Sequence, residues 1–121
     1  MKAIIIANPL SGKGMAKKAI PRVKEFFDKN RVSLDVMMTR KAGQGIQLAR
    51  RAAESGKYDT IIASGGDGTL NEVINGIMLS GKNRNIRFGI IPLGTENVLA
   101  QEEKISFRPL KAAETLINGE T

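Results

Sequence analysis

Residues 58–80 hold the feature that constrains this chain most: an apolar run, three glycines, then a helical repeat. The run is Tyr58 to Ala63, and Ser64-Gly65-Gly66-Asp67-Gly68-Thr69-Leu70-Asn71-Glu72 follows it. Leu70, Val73, Ile74, Ile77 and Met78 then recur at i, i+3, i+4, i+7 and i+8, the spacing of one helix face. The glycines therefore fall at a strand-to-helix turn. Glycine there admits φ > 0 and lets another group approach the main chain closely. A helix start adds free N–H groups and a partial positive charge, which together attract phosphate. Asp67 is the odd member, since a carboxylate beside phosphate is repulsive unless a cation joins them. Mg²⁺ prefers a carboxylate plus substrate phosphates, so this stretch predicts a phosphate-bearing ligand with Mg²⁺ at Asp67. A tight turn with an Asp or Thr cap is the bland alternative. Thr69, Asn71 and Glu72 in addition put more polar groups here than packing explains.

The rest of the chain repeats the alternation. Residues 3–7 are a short apolar strand of the kind buried on both faces of a parallel sheet. Asn8 to Gly14 reads as a turn, and a helix starting near Gly14 runs to about Lys29, with Ala19, Ile20, Val23, Phe26 and Phe27 inward and Pro21 as a tolerated kink. Val32 to Thr39 is a second strand and residues 40–45 a loop. Ile46 to Ser55 is a second helix burying Ile46, Ala49 and Ala53, and Gly56 stops it. The third helix ends at Gly81, and Ile86 to Pro92 is a fourth strand. A turn at 93–97, a short helix from about Asn97, and a last helix opened by Pro109 complete the chain. Strands alternating with helices predict a three-layer, Rossmann-like α/β fold with a parallel sheet and helices on both faces. Ligands of such sheets bind outside the carboxyl ends of the strands. The distinctive turns all fall there: 8–14, Thr39, 65–69 and 94–97.

Bulk properties exclude several classes. The chain has 121 residues, 41% hydrophobic and 26% charged, which suits a single globular domain. It has no cysteine and no histidine, so thiolate chemistry, the usual general base and a zinc site are all excluded. No stretch approaches the roughly 20 apolar residues that span a bilayer, and the N-terminus has no signal-peptide layout, so the expected location is cytoplasmic. The net charge of +7 is dispersed, and aromatic residues are only 4%, too few for base-stacking platforms. Solvated helix faces are therefore preferred to a nucleic-acid partner, and peripheral contact with an anionic membrane stays open.

Two partial motifs fail. Ser11-Gly12-Lys13-Gly14 is not a P-loop, because Ala7 and Gly14 stand where glycine and Ser/Thr are needed. Gly43-Gln44-Gly45 and Gly66-Asp67-Gly68 do not complete G-x-G-x-x-G, since Leu48 and Asn71 take the last place.

Taken in order, Asn8-Pro9-x-Ser11-Gly12-x-Gly14, Gly65-Gly66-Asp67-Gly68-Thr69-x-Asn71-Glu72-Val73 and Pro92-Leu93-Gly94-Thr95-x-Asn97 resemble the diacylglycerol kinase catalytic-domain family. The central motif is shared with NAD kinases and is similar to the phosphate-binding turn of phosphofructokinases. The outer motifs favour the lipid-kinase branch. The resemblance implies an ATP-binding domain over 1–121 that, with a second β-sandwich domain holding lipid and supplying the catalytic Asp, transfers the γ-phosphoryl of Mg-ATP to a lipid hydroxyl. It implies that the second domain is absent from this chain and that the chain alone is inactive. Asn8, Pro9, Ser11 and Gly12 would line the nucleotide site, and Thr39 would contact the phosphate region. Gly65, Gly66, Asp67, Gly68 and Thr69 would cradle the phosphates, with Asp67 serving Mg²⁺. Asn71, Glu72, Thr95 and Asn97 would complete the pocket, Glu72 also favouring or capping the start of its own helix. The chain carries Gln44 where the family often has His or Asp. An NAD kinase-like fragment, or a nucleotide-binding module without catalysis, remains as an alternative.

Overall fold

The computed structural model describes residues 1–92, apart from the side chains of 11–15 and 92. They form β1 (Lys2–Ala7), α1 (Ser11–Lys29), β2 (Ser33–Met38), α2 (Gln44–Ser55), β3 (Thr60–Gly65), α3 (Asp67–Ser80) and β4 (Arg87–Pro92). The strands make one parallel sheet in the order β2-β1-β3-β4. Ala7 lies opposite Met38 on one side and Ser64 on the other, so the carboxyl ends of β1, β2 and β3 are level.

The period-two alternation of the strands sorts the core into two layers. Ala3, Ile5, Ala7, Leu34, Ile62 and Ile91 face α1, meeting Ala16, Ala19, Ile20, Val23 and Phe27. Ile4, Ile6, Ile61 and Ala63 face the other way, against Ala49, Ala52 and Ala53 of α2 and Val73 and Ile77 of α3. Among the described residues the result is the expected three-layer α/β arrangement, with α1 on one face and α2 and α3 together on the other. β1 and β3 are adjacent, yet the chain leaves them toward opposite faces. Their carboxyl ends thus open a crevice at the switch in strand order.

Several boundaries differ from expectation. α1 begins at Ser11 rather than near Gly14, because the Asn8 side chain accepts the Leu10 backbone N–H at 2.9 Å and completes the turn within residues 8–10. Pro21 lies inside the helix, on its exposed side, where the missing N–H costs least. α2 begins at Gln44, and Ala52 rather than Ile46 is fully buried with Ala49 and Ala53. On α3, Val73 and Ile77 are buried with Thr69 and Gly76, whereas Ile74 and Met78, expected on the same face, are exposed. Gly76 explains that rotation. A Cβ there would lie 2.3 Å from the Ile46 carbonyl oxygen and 2.7 Å from the Ala49 Cβ, so α3 turns its glycine to α2 and the helices touch backbone to backbone. Gly56 and Gly81 cap α2 and α3 in the left-handed region, as expected, at φ 75° and 74°.

Away from the crevice, the Tyr58 hydroxyl donates to the Asp35 carboxylate and so ties the α2–β3 connection to edge strand β2. That hydrogen bond, then burial, then the nearby negative charge push the phenol up to about 12. Among the described residues no helix is long and apolar enough to cross a membrane.

Candidate functional site

The three described helices start at the carboxyl edge of the sheet, and their N-termini are treated differently. α1 is preceded by Leu10, which has no capping group, and its first turn has no acidic residue. α3 is preceded by Gly66, which has none either. α2 is covered: Glu72, in the second turn of α3, accepts the Gly43 N–H at 3.1 Å and the Gly45 N–H at 2.9 Å. None of the three cap residues supplies a side-chain cap; among the described residues the two N-termini with no such cover from Glu72 follow β1 and β3, and so flank the crevice. This corrects the expectation that Glu72 serves its own helix. Its side chain reaches sideways to α2, because Gly76 has brought the two helices together one turn further on.

A cleft of about 480 Å³ lies at this edge, lined by Asn8, Pro9, Leu10, Thr39, Arg40, Lys41, Ala42, Gly68, Thr69 and Glu72. Of the residues expected from sequence, it gathers Asn8, Pro9, Thr39, Gly68, Thr69 and Glu72. Thr39 is buried, with its N–H on the Ala7 carbonyl at 2.8 Å and its hydroxyl 3.4 Å from the same oxygen. Thr69 is buried too. Gly65 and Gly66 form the turn that leads to the lining, and Asp67 is the exposed first residue of α3. Asn71 is exposed on α3 and is not brought into the lining. Ser11 and Gly12 open α1. Thr95 and Asn97 lie outside the described residues.

The glycines of the central turn divide by reason. Gly65 has φ 150°, which demands glycine. Gly66 has φ −89° and Gly68 is helical, and a Cβ on either would meet nothing within 4 Å. Neither conformation nor internal packing requires glycine at 66 or 68.

Arg40 and Lys41 are cleft residues that sequence reasoning assigned to solvated surface. Both are exposed and neither joins an ion pair among the described residues. A signal was present in their position directly after Thr39, at a strand's carboxyl end. Lys24–Asp28, Lys29–Glu25 and Arg50–Glu54, by contrast, are ordinary exposed i,i+4 pairs. Ser64 is a further addition: its hydroxyl is fully buried on the α1 face at the end of β3 and has no partner among the described residues.

The described residues assemble no metal site from protein ligands alone. No group of three or more His, Cys, Asp or Glu side chains converges among the described residues, and each Glu72 oxygen already accepts a backbone N–H. Asp67 remains, exposed beside the turn. One carboxylate completed by phosphate oxygens is a donor set that fits Mg²⁺.

The sequence matches the family model described as diacylglycerol kinase catalytic domain over residues 2–121. It is 40% identical over 119 residues to the diacylglycerol kinase of Bacillus subtilis (strain 168), covering 98% of this chain and 38% of that protein. It is 38% identical over 118 residues to the diacylglycerol kinase of Staphylococcus carnosus (strain TM300), again covering 98% of this chain and 38% of the relative. A crystal structure of a diacylglycerol kinase from Bacillus anthracis str. Sterne superposes with a TM-score of 0.69 at 27% identity, over 98% of this chain and 40% of that one. The chain thus spans about two fifths of the length of the relatives it matches.

Proposed function

This chain belongs to the diacylglycerol kinase catalytic domain family, and on that premise we propose that it is the Mg-ATP-binding domain of a lipid kinase. In this reading residues 1–121 hold the nucleotide, and a second domain presents the lipid hydroxyl that takes the γ-phosphoryl. The observation that carries the reading is the pair Gly66 and Gly68, glycines that nothing among the described residues requires, at an N-terminus whose cap residue offers no side chain, beside the cleft. Polyphosphate is the ligand class that uses such a surface: backbone N–H groups and the helix dipole meet its charge.

Phosphoryl transfer needs positioning and charge stabilisation more than covalent groups from the protein, which suits a chain without His or Cys. The α3 N-terminus and the backbone of 65–69 bind phosphate oxygens. Thr39 and Thr69 offer hydroxyls along the cleft wall, and Asn8, Pro9 and the start of α1 form the opposite wall, with Ser11, Gly12, Thr95 and Asn97 assigned to the same nucleotide by motif. Asp67 holds Mg²⁺ with the phosphates, and the cation when bound offsets their negative charge. Calorimetric titration of the chain with Mg-ATP tests the reading. Saturable binding that is lost without Mg²⁺ is expected, and absence of binding by folded protein overturns it.

A further inference from the structure

Both carboxylate oxygens of Glu72 are already engaged by backbone. Its Oε2 accepts the N–H of Gly43, the last residue of the β2–α2 loop, and its Oε1 that of Gly45 in the first turn of α2. The glycines at these two positions each have a reason. Gly43 sits at φ 86°, which glycine alone adopts easily. Gly45 has no room for more, since a Cβ would stand 2.7 Å from Glu72 Oε1. The loop is also closed on itself: Gln44 Oε1 accepts the Arg40 N–H at 2.5 Å, and the Gln44 N–H reaches the Lys41 carbonyl at 3.3 Å. Arg40 and Lys41 therefore sit on a segment pinned at both ends, by the Thr39–Ala7 hydrogen bond at one end and by Glu72 at the other. Both line the same cleft as Gly68 and Thr69.

We infer that Glu72 is a positioning residue that holds the β2–α2 loop so that Arg40 and Lys41 supply positive charge to the polyphosphate of the nucleotide. The inference rests on the Mg-ATP reading above. It assigns the cations of the phosphate site to this loop, and it removes Glu72 from the candidates for metal ligand or general base. A carboxylate suits the task because it accepts at both oxygens. A glutamine would accept at one and turn its NH₂ against the second N–H.

The test is a double-mutant cycle on the full chain, read by calorimetry with Mg-ATP and by the salt dependence of the affinity. One arm is Arg40→Gln with Lys41→Gln, the other is Glu72→Gln, and the third combines them, each first shown folded by circular dichroism. Loss of the two cations should weaken binding about tenfold and flatten its salt dependence. Glu72→Gln should do the same with both cations still present, and the combined variant should bind no worse than either arm. Multiplying effects, or a Glu72→Gln protein with wild-type affinity and salt dependence, overturn the inference and leave the Mg-ATP reading standing. No Mg-ATP binding by the wild-type chain overturns both. Where Glu72→Gln does not fold, Gly45→Ala breaks the contact from the loop side and enters the cycle in its place.

Discussion

The carboxylate of Glu72 on α3 accepts the backbone N–H of Gly45 at the start of α2, 2.9 Å away. Residues 27 positions apart thus close one wall of the cleft. The bond is charge-assisted, of the class worth about 1.5–3 kcal/mol net, and it sits in the seam where Gly76 lets the two helices meet. The same seam joins the stability of the fold to the shape of the site.

Gly76→Ala separates these effects from helix propensity. Alanine is favoured over glycine in a helix by about 1 kcal/mol, yet its Cβ would lie 2.3 Å from a backbone oxygen of α2. Overpacking of this kind costs about 1–3 kcal/mol, so a net loss of stability is expected. Denaturant unfolding measures it. Gly68→Ala is the control, as its Cβ meets nothing and should stabilise the isolated protein. A Gly76→Ala protein as stable as Gly68→Ala would mean that α2 and α3 do not touch as described.

Gly66→Val tests whether a phosphate approaches the turn. Valine is compatible with φ −89° and ψ −169°, and its Cβ has open space. The circular dichroism spectrum and unfolding midpoint should be close to wild type. Mg-ATP affinity should fall about tenfold or more. Full affinity in this variant would place the phosphates elsewhere.

Asp67→Asn keeps size and removes charge at an exposed helix start. Its stability cost is limited to about 0.3–1 kcal/mol of dipole interaction. Nucleotide affinity in the presence of Mg²⁺ should fall about tenfold, while binding without Mg²⁺ should be unchanged or better, because a repulsive charge has gone. Equal losses with and without Mg²⁺ would argue against a metal role for Asp67.

Tyr58 is the only tyrosine of the chain, so its ionisation can be followed by near-ultraviolet absorbance without overlap. Its folded value of about 12 is raised above the ordinary 10. The stabilisation from the Asp35 hydrogen bond is therefore fully present below pH 10 and is lost as pH rises toward 12. Asp35→Asn should bring the transition back toward 10, and Tyr58→Phe should flatten the pH dependence of stability in this window. A wild-type titration near 10 would mean that the hydrogen bond is not kept in solution.

Residues 1–121 alone are expected to bind Mg-ATP and not to phosphorylate diacylglycerol at a useful rate. Among the described residues the carboxylates nearest the cleft are Asp67, assigned to Mg²⁺, and Glu72, bonded to two backbone N–H groups. Neither is free to take the acceptor's proton. Missing acceptor positioning can account for roughly 7–11 kcal/mol of barrier. Labelled ATP with diacylglycerol in mixed micelles measures transfer, and robust phosphorylation by this chain would show a complete site within it.

The alternation of strand and helix was legible in the sequence because hydrophobic period is local: the runs 3–7 and 58–63 read as strands, and of the expected inner side of α1, Ala19, Ile20, Val23 and Phe27 are buried and Phe26 is half-buried, with Ala16 added to them. The helix stops at Gly56 and Gly81 were legible for the same reason, since a left-handed cap is a property of one residue. Thr39 and the 65–69 turn were placed at the carboxyl edge by topology alone. The start of α1, the exposure of Ile74 and Met78, and the reasons for Gly43, Gly45 and Gly76 were not. Each depends on a partner that sequence spacing does not identify. Strand order β2-β1-β3-β4 sets the loop after β2 and the helix after β3 on the same edge, and α2 lies against α3 only because both cover one face of the sheet. From sequence, Arg40 and Lys41 are two more surface cations and Glu72 is an acidic residue near the start of a helix. Tertiary structure makes the first two a cleft wall and the third the brace behind it, because a carboxylate chooses its N–H donors by proximity in space, and only the packing of α2 on α3 brings those donors within reach.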